Sequence, residues 1–189
     1  MGLKSDRWIR RMAREARLIE PFEEELVRRG VISYGLSSYG YDLRLSPTLY
    51  LLGETDEGII DPKAFDEAAM LRRLEGETFL IPPHGYALGL VLEYLRLPRN
   101  VVGLVWGKST YTRAGLMVNL TPLEPGWEGH LTLSMANQTA RPLRLYAGEG
   151  IAQVLFWEGD EAPFLSYAER RGKYQGRRDV APPTIEEVS

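Results

Sequence analysis

The stretch VVGLVWGKSTYTRAGLMVNL, residues 101–120, carries the strongest structural signal in the chain. A short apolar run, Val101–Trp106, ends at Gly107, and a second run begins at Leu116. Short β-branched and aromatic runs between glycines are typical of strands. Tyr111 and Thr112 also favour strand or turn over helix. We therefore predict two strands joined by a polar turn.

The Gly-Lys-Ser at 107–109 resembles the end of a P-loop, but that loop needs a glycine five residues earlier, where this chain has Val102. The βαβ context of a P-loop is missing as well. The residue types still suit phosphate, since Lys108 and Arg113 are cations beside several hydroxyl side chains. The alternative is an exposed polar turn without a ligand.

The same pattern of short runs continues on both sides of this stretch. The further predicted strands are Tyr41–Leu45, Thr78–Ile81, Tyr86–Tyr94, His130–Ala136, Pro142–Tyr146 and Ile151–Trp157. Glycine and proline separate them, which indicates a mainly antiparallel sandwich, barrel or jelly roll.

Helices are predicted mainly at the N-terminus, over residues 1–30. Ser5 is placed to cap a first helix, and a second would run from Pro21 to Gly30. Asp61–Leu74 is a weaker helical segment. We treat residues 1–189 as one domain, with a flexible C-terminal flap and tail over residues 167–189.

Composition excludes several classes of function. Net charge of −3 and a pI near 5.6 argue against a broad nucleic-acid surface. The chain has no cysteine, which excludes disulfides and cysteine-ligated zinc. No signal peptide or apolar run of about 20 residues is visible, so we expect a cytoplasmic protein without membrane contact.

Five motifs, taken together, resemble the dCTP deaminases, a branch of the superfamily that also contains the trimeric dUTPases. The first stretch extends to LPRNVVGLVWGKSTYTRAGLMVNLTPLEPGWEGHLTL, residues 97–133. The others are SSYGYDLRL (37–45), IPPHGYAL (81–88), YAGEGIAQVLF (146–156) and GKYQG (172–176). They cover nearly the whole chain in the family's order.

The resemblance implies a distorted, dUTPase-like jelly roll, a homotrimer with active sites between subunits, and a deoxynucleoside triphosphate as ligand: dCTP, or alternatively dUTP or dTTP. Ser109 and Arg113 would take part in catalysis. Substrate-binding residues would be Lys108, Ser109, Thr110, Arg113, Thr121, Pro122, Glu124, Trp127, Gln153, Tyr167, Lys173, Gln175 and Arg177. Mg²⁺ would be held through the phosphates, with no protein ligand and no zinc.

One position departs from the family pattern. The resemblance places a catalytic glutamate on the strand after Trp127, where this chain has Ser134. A hydroxyl does not ionise near pH 7, so it cannot serve as a general base. Glu128 and His130 are close in sequence, and His130 should share a strand face with Ser134. Three functions therefore stay open: dCTP deaminase, dUTP or dCTP diphosphatase, and a non-catalytic nucleotide-binding trimer.

Overall fold

The computed structural model describes residues 2–53 and 59–184, and these form a mainly β protein, the fold class predicted. The last residues of the predicted tail, 185–189, lie outside the described part. The elements, in chain order, are β1 Gly2–Leu3, α1 Asp6–Ala16, β2 Ile19–Glu20, β3 Gly35–Leu36, β4 Tyr41–Leu52, α2 Glu67–Met70, β5 Leu71–Glu75, β6 Thr78–Ile81, β7 Tyr86–Arg96, β8 Val101–Gly107, α3 Ser109–Arg113, β9 Leu116–Asn119, β10 Glu128–Asn137, β11 Leu143–Tyr146 and β12 Gly150–Glu158.

Most of the described strands belong to one curled antiparallel sheet. Its central path runs β1-β12-β4-β7-β10-β9, with β8 paired to β12 and the short strands β2, β3 and β5 attached to β7 and β4. Strands β6 and β11 form a separate ladder. Because β4 bonds to both β12 and β7, it lies at the centre of the sheet, and most of its side chains are buried.

Strand β10 shows the alternation that a half-buried strand requires. Leu131, Leu133 and Met135 are buried, whereas His130, Thr132 and Ser134 on the other face are partly exposed. The pairing with β7 shifts between His130 and Thr132. The predicted placement of His130 on the face of Ser134 is therefore confirmed.

The N-terminus forms one helix instead of the two predicted. Helix α1 covers Asp6–Ala16 and buries Ile9 and Ala13, while Ser5 at its N-cap makes no side-chain cap bond. The second predicted helix, Pro21–Gly30, is absent. Its backbone bonds instead to the segment that follows it, since Val27 N donates to the Tyr34 carbonyl at 2.9 Å and Leu36 N donates to the Glu23 carbonyl at 3.2 Å. These bonds take the place of the i to i−4 hydrogen bonds of a helix.

The segment Asp61–Leu74 also differs from the prediction. It is helical only over Glu67–Met70, and Leu71–Glu75 is a strand that pairs with the second half of β4. Strand pairing outweighs the weak helical pattern here. The described residues contain no helix that is long and apolar enough to cross a bilayer.

Asn137, at the end of β10, fixes the neighbouring loops. Its side chain is 1% exposed, and Nδ2 donates to the carbonyls of Ile81 (3.2 Å), Pro82 (2.8 Å) and Arg141 (2.8 Å). Its Oδ1 accepts from Thr139 N at 3.0 Å. A buried amide with this many partners holds the strand end in one arrangement.

We predict that Asn137→Ala lowers the free energy of unfolding by about 2–4 kcal/mol, because it leaves several buried carbonyls without a donor. Urea denaturation followed by tryptophan fluorescence measures the change. Gln138→Ala, at the exposed neighbouring position, should change that free energy by less than about 0.5 kcal/mol. Equal losses for the two variants would contradict the role given to Asn137.

Candidate active site

The Gly-Lys-Ser stretch forms a short helical turn, where the sequence analysis predicted strand or polar turn. Lys108 is the N-cap of α3, and Thr112 N donates to its carbonyl at 2.9 Å. Tyr111 accounts for the difference: its ring is buried in the core and its hydroxyl accepts from Tyr146 N at 3.0 Å. Ser109, Thr110 and Arg113 are exposed on the turn.

This geometry is not that of a P-loop. The strand after α3 is β9, which pairs antiparallel with β10. A P-loop helix instead leads back to a parallel strand of the same sheet. The exclusion made from the sequence therefore holds, although the turn after the lysine is helical.

Lys108 belongs to a polar network that joins three separate motifs and contains Lys108, Asp42, Gln153 and Ser37, which we call the Lys108 network. Its Nζ forms an ion pair with the carboxylate of Asp42 on β4. The second oxygen of that carboxylate accepts from Gln153 Nε2 on β12 at 3.1 Å. Gln153 Nε2 also lies 3.2 Å from the Ser37 hydroxyl. The predicted phosphate-side residues Lys108 and Gln153 thus meet at one carboxylate.

Asp42 itself was missed by the sequence analysis. It is 2% exposed, and burial raises the pKa of its carboxyl while the Lys108 ammonium and the Gln153 amide oppose that rise. A signal was available, because Asp42 stands between two large apolar residues, Tyr41 and Leu43, within a predicted strand. A charge in such a strand needs a buried partner.

A second group of predicted residues, which we call the Trp127 group, lies at the turn before β10. Trp127 is buried, and its Nε1 donates to the Tyr174 carbonyl at 3.1 Å. Gln175 Nε2 donates to the Gly126 carbonyl at 3.3 Å. Glu124 forms an ion pair with Arg170. The C-terminal segment of the chain, residues 166–177, therefore docks on this turn.

The remaining C-terminal residues continue along β10. Gly129 pairs with Arg177 in a parallel bridge, and His130 N donates to the Arg177 carbonyl at 2.9 Å. The Tyr167 hydroxyl accepts from Tyr174 N at 3.0 Å, and Lys173 Nζ donates to the Thr184 carbonyl at 2.6 Å. Among the described residues, no hydrogen bond or ion pair connects this group to the Lys108 network.

Ser134 lies in the middle of β10, directly opposite Asn119 on β9 and Leu88 on β7. None of these positions supplies a carboxylate. His130 is four residues away on the same face, which is roughly 13 Å along a strand at about 3.3 Å per residue. Its Nδ1 lies 3.3 Å from the Val91 carbonyl. His130 is therefore too far away to take the place of a side chain at Ser134.

Two cavities lie beside the turn. Thr121 and Pro122 are exposed and line the smaller one, about 170 Å³, together with Leu104, Val105, Trp106, Val118, Asn119 and Leu120. The larger one, about 380 Å³, is lined in part by Thr110, Arg141 and Arg144. The smaller cavity is below the range of about 300–1,000 Å³ that small-molecule sites occupy.

The described residues hold no cluster of three or more metal-ligating side chains of the His, Cys, Asp or Glu type.

Comparison with known proteins gives one consistent family. Residues 3–159 match the family model described as dCTP deaminase-like. The chain is 51% identical to a dCTP deaminase of Gemmatimonas aurantiaca and 50% identical to one of Herpetosiphon aurantiacus. Each alignment covers 98% of this chain and 100% of the relative.

A solved structure gives the fold independently. The 2'-deoxycytidine 5'-triphosphate deaminase of Agrobacterium tumefaciens superposes with a TM-score of 0.63 at 17% identity, over 84% of this chain and 48% of that longer chain. The chain thus corresponds to about half of that protein. The distorted jelly roll expected from the sequence is the fold the two share.

We predict that Gly129→Ala loosens the C-terminal segment. Gly129 has φ +150°, and an added Cβ would lie 3.1 Å from the Arg177 carbonyl oxygen and 3.2 Å from its nitrogen. If the added Cβ lowers the free energy of local opening by about 1.4 kcal/mol, trypsin should cleave after Arg177 and Arg178 about tenfold faster.

The matched control is Gly148→Ala. Gly148 also has a positive φ, +76°, but no atom lies within 4 Å of the added Cβ. Its cleavage rate at Arg177 and Arg178 should equal that of the unchanged protein. Unchanged cleavage in Gly129→Ala would contradict the docking of the segment on β10.

Proposed function

Because this chain belongs to the dCTP deaminase family, we propose that it binds dCTP and converts it to dUTP and ammonia at a low rate. The observation that carries the proposal is the meeting of three distant motifs at the Asp42 carboxylate, which pairs with Lys108 of the turn and accepts from Gln153. The low rate follows from Ser134.

The triphosphate would lie at α3. Lys108 and Gln153 are held by Asp42 at the base of the turn, while Ser109 and Thr110 are exposed and offer hydroxyl donors. Oxyanions are bound by such convergent cations and donors. Arg113, exposed at the end of the turn, would extend from the phosphates toward the reacting base.

The base and sugar would lie between α3 and the turn before β10. The exposed backbone of Thr121 and Pro122 would read the base edge from the smaller cavity, and Glu124 and Trp127 would hold the deoxyribose. Tyr167, Lys173, Gln175 and Arg177 would close over the nucleotide. Their docking beside Trp127 supports this, because it holds the segment next to the proposed sugar site.

We further propose that Mg²⁺ enters with the triphosphate. Mg²⁺ favours oxygen ligands and keeps several of its waters, so phosphate oxygens can hold it without a protein cage. Its contribution would be to neutralise phosphate charge. No residue of the chain is assigned as its ligand.

A homotrimer would complete the site. Among the described residues no hydrogen bond or ion pair joins the Lys108 network to the Trp127 group, so one subunit supplies two separate halves. Large apolar side chains are exposed near the first half, with Trp106 54% and Met117 53% accessible. Burial of such surface is the usual driving force of association. A neighbouring subunit would cover this surface and bring the second half to the first.

Deamination needs a group that removes a proton from the attacking water and protonates the departing ammonia. Ser134 can only hydrogen-bond that water, and the positions opposite it, Asn119 and Leu88, are not ionisable. This observation also favours a second candidate, a nucleotide-binding trimer without catalysis. A diphosphatase, in which water attacks phosphorus beside Mg²⁺, is the third.

We predict that Ser134→Glu raises ammonia release from dCTP with Mg²⁺ by about 10²–10⁴-fold, the usual contribution of a general acid–base. Ammonia and pyrophosphate are measured separately, with dCTP, dUTP and dTTP as substrates. Ser134→Gln is the matched control, since it has the size of glutamate without its ionisation, and it should show no increase.

The same assay separates the three candidates. Ammonia without pyrophosphate supports the deaminase, and pyrophosphate alone identifies a diphosphatase. Tight binding with neither product, in the natural protein and in Ser134→Glu, identifies a binding protein. A natural protein that releases ammonia as fast as Ser134→Glu would show that position 134 is not where a general base is missing.

We also predict that Lys108→Ala weakens dCTP binding roughly 10- to 100-fold and deoxycytidine binding far less, since a charge-assisted bond to phosphate contributes about 1.5–3 kcal/mol. Calorimetric titration measures both ligands. Lys4→Ala is the control, because Lys4 forms a comparable ion pair with Glu158 and is similarly buried, 14% against 13% exposed. Equal losses for nucleotide and nucleoside would remove Lys108 from the phosphate site.

A further inference from the structure

The Asp42 carboxylate is buried behind the proposed phosphate site and is not among the residues assigned there. It is 2% exposed, and the Lys108 side chain that reaches it is 13% exposed. In this arrangement the charge of Lys108 is already neutralised by Asp42. A triphosphate that binds Lys108 must therefore compete with a buried carboxylate.

We propose that Asp42 is a positioning residue that holds Lys108 in the empty site, gives it up to the triphosphate on binding, and takes up a proton from solvent in exchange. The proposal rests on the proposed function, since it requires phosphate at the α3 turn.

Burial is the reason for the proton. Once Lys108 turns to phosphate, the hydrogen-bond partner left to the Asp42 carboxylate is neutral: Gln153 Nε2, at 3.1 Å, which also contacts the Ser37 hydroxyl. A buried carboxylate without a counter-charge is strongly disfavoured, and buried carboxyl groups reach pKa values of about 8–9. Burial raises the pKa of Asp42 even with Lys108 in place.

In the described part of the chain, no second cation forms an ion pair with the Asp42 carboxyl that could replace Lys108. Strand β3 contributes Gly35 opposite Asp42, and β12 contributes Gln153. Within the described residues, Lys108 is the charged group that acts on the Asp42 carboxyl. Arg44, also on β4, already forms an ion pair with Glu93, with 2.7 Å between Arg44 Nε and Glu93 Oε1.

The sign of the effect follows from linkage. Binding removes Lys108 and so raises the pKa of Asp42 above its value in the empty protein. Between those two values the complex holds more protons than its free components. Affinity for the triphosphate should therefore fall as pH rises through that window, by up to about tenfold per pH unit. Below the lower pKa the effect disappears, because Asp42 is protonated in both states.

The test is calorimetric titration of the full-length protein with dCTP and Mg²⁺ in buffers of different ionisation enthalpy. At pH about 8 phosphate groups with a pKa near 6 are already ionised and contribute no protons. The wild-type protein should take up a fraction of a proton, at most about one per site. Asp42→Asn keeps the shape of the side chain and should abolish both the uptake and the steep pH dependence.

Glu93→Gln is the matched control, because it removes a different buried carboxylate from the same sheet. It should bind with the wild-type proton count. Equal proton uptake by the wild-type protein and by Asp42→Asn would overturn the proposal. Binding of dCTP by the wild-type protein without any proton uptake would also overturn it, and this second result does not require Asp42→Asn to fold. Absence of any dCTP binding in the wild type would refute the proposed function itself.

Discussion

A buried carboxylate in a central strand is the constraint on which the candidate site depends. Asp42 lies in β4 between core residues, and burial makes its charge costly unless it is paired. Lys108 and Gln153 meet that requirement from α3 and β12. The same contacts fix the α3 turn against the sheet, so the pairing that stabilises the strand also orients the proposed phosphate site.

Strand β10 positions the other half of the site. Its inner face is apolar core, and its outer face carries Ser134 and the residues along which the C-terminal segment docks. Because side chains alternate between the two faces of a strand, His130 lies on the same face as Ser134, but four residues away from it. The fold is thus that of the family, while the proposed nucleotide site carries Ser134 where a general acid–base group is expected.

The sequence predicted the strands well because alternation and glycine or proline boundaries are local signals; Thr78–Ile81 matches to the residue. The sequence-based prediction was wrong where pairing with another segment determines the secondary structure. Pro21–Gly30 bonds to Tyr34 and Leu36 in the following segment, and Leu71–Glu75 joins β4, so neither is the predicted helix. The α3 turn depends on Tyr111 entering the core. Asp42 was missed because its role exists only once β4, α3 and β12 meet.

In the proposed complex, the turn at Lys108–Arg113 encloses the phosphate tail of a deoxynucleotide. A crystal structure grown with dCTP and Mg²⁺ tests this arrangement most directly. We expect phosphate oxygens within hydrogen-bond distance of Lys108 Nζ and of the Ser109 and Thr110 hydroxyls. A nucleotide bound elsewhere, with this turn facing solvent and Lys108 still on Asp42, would contradict it.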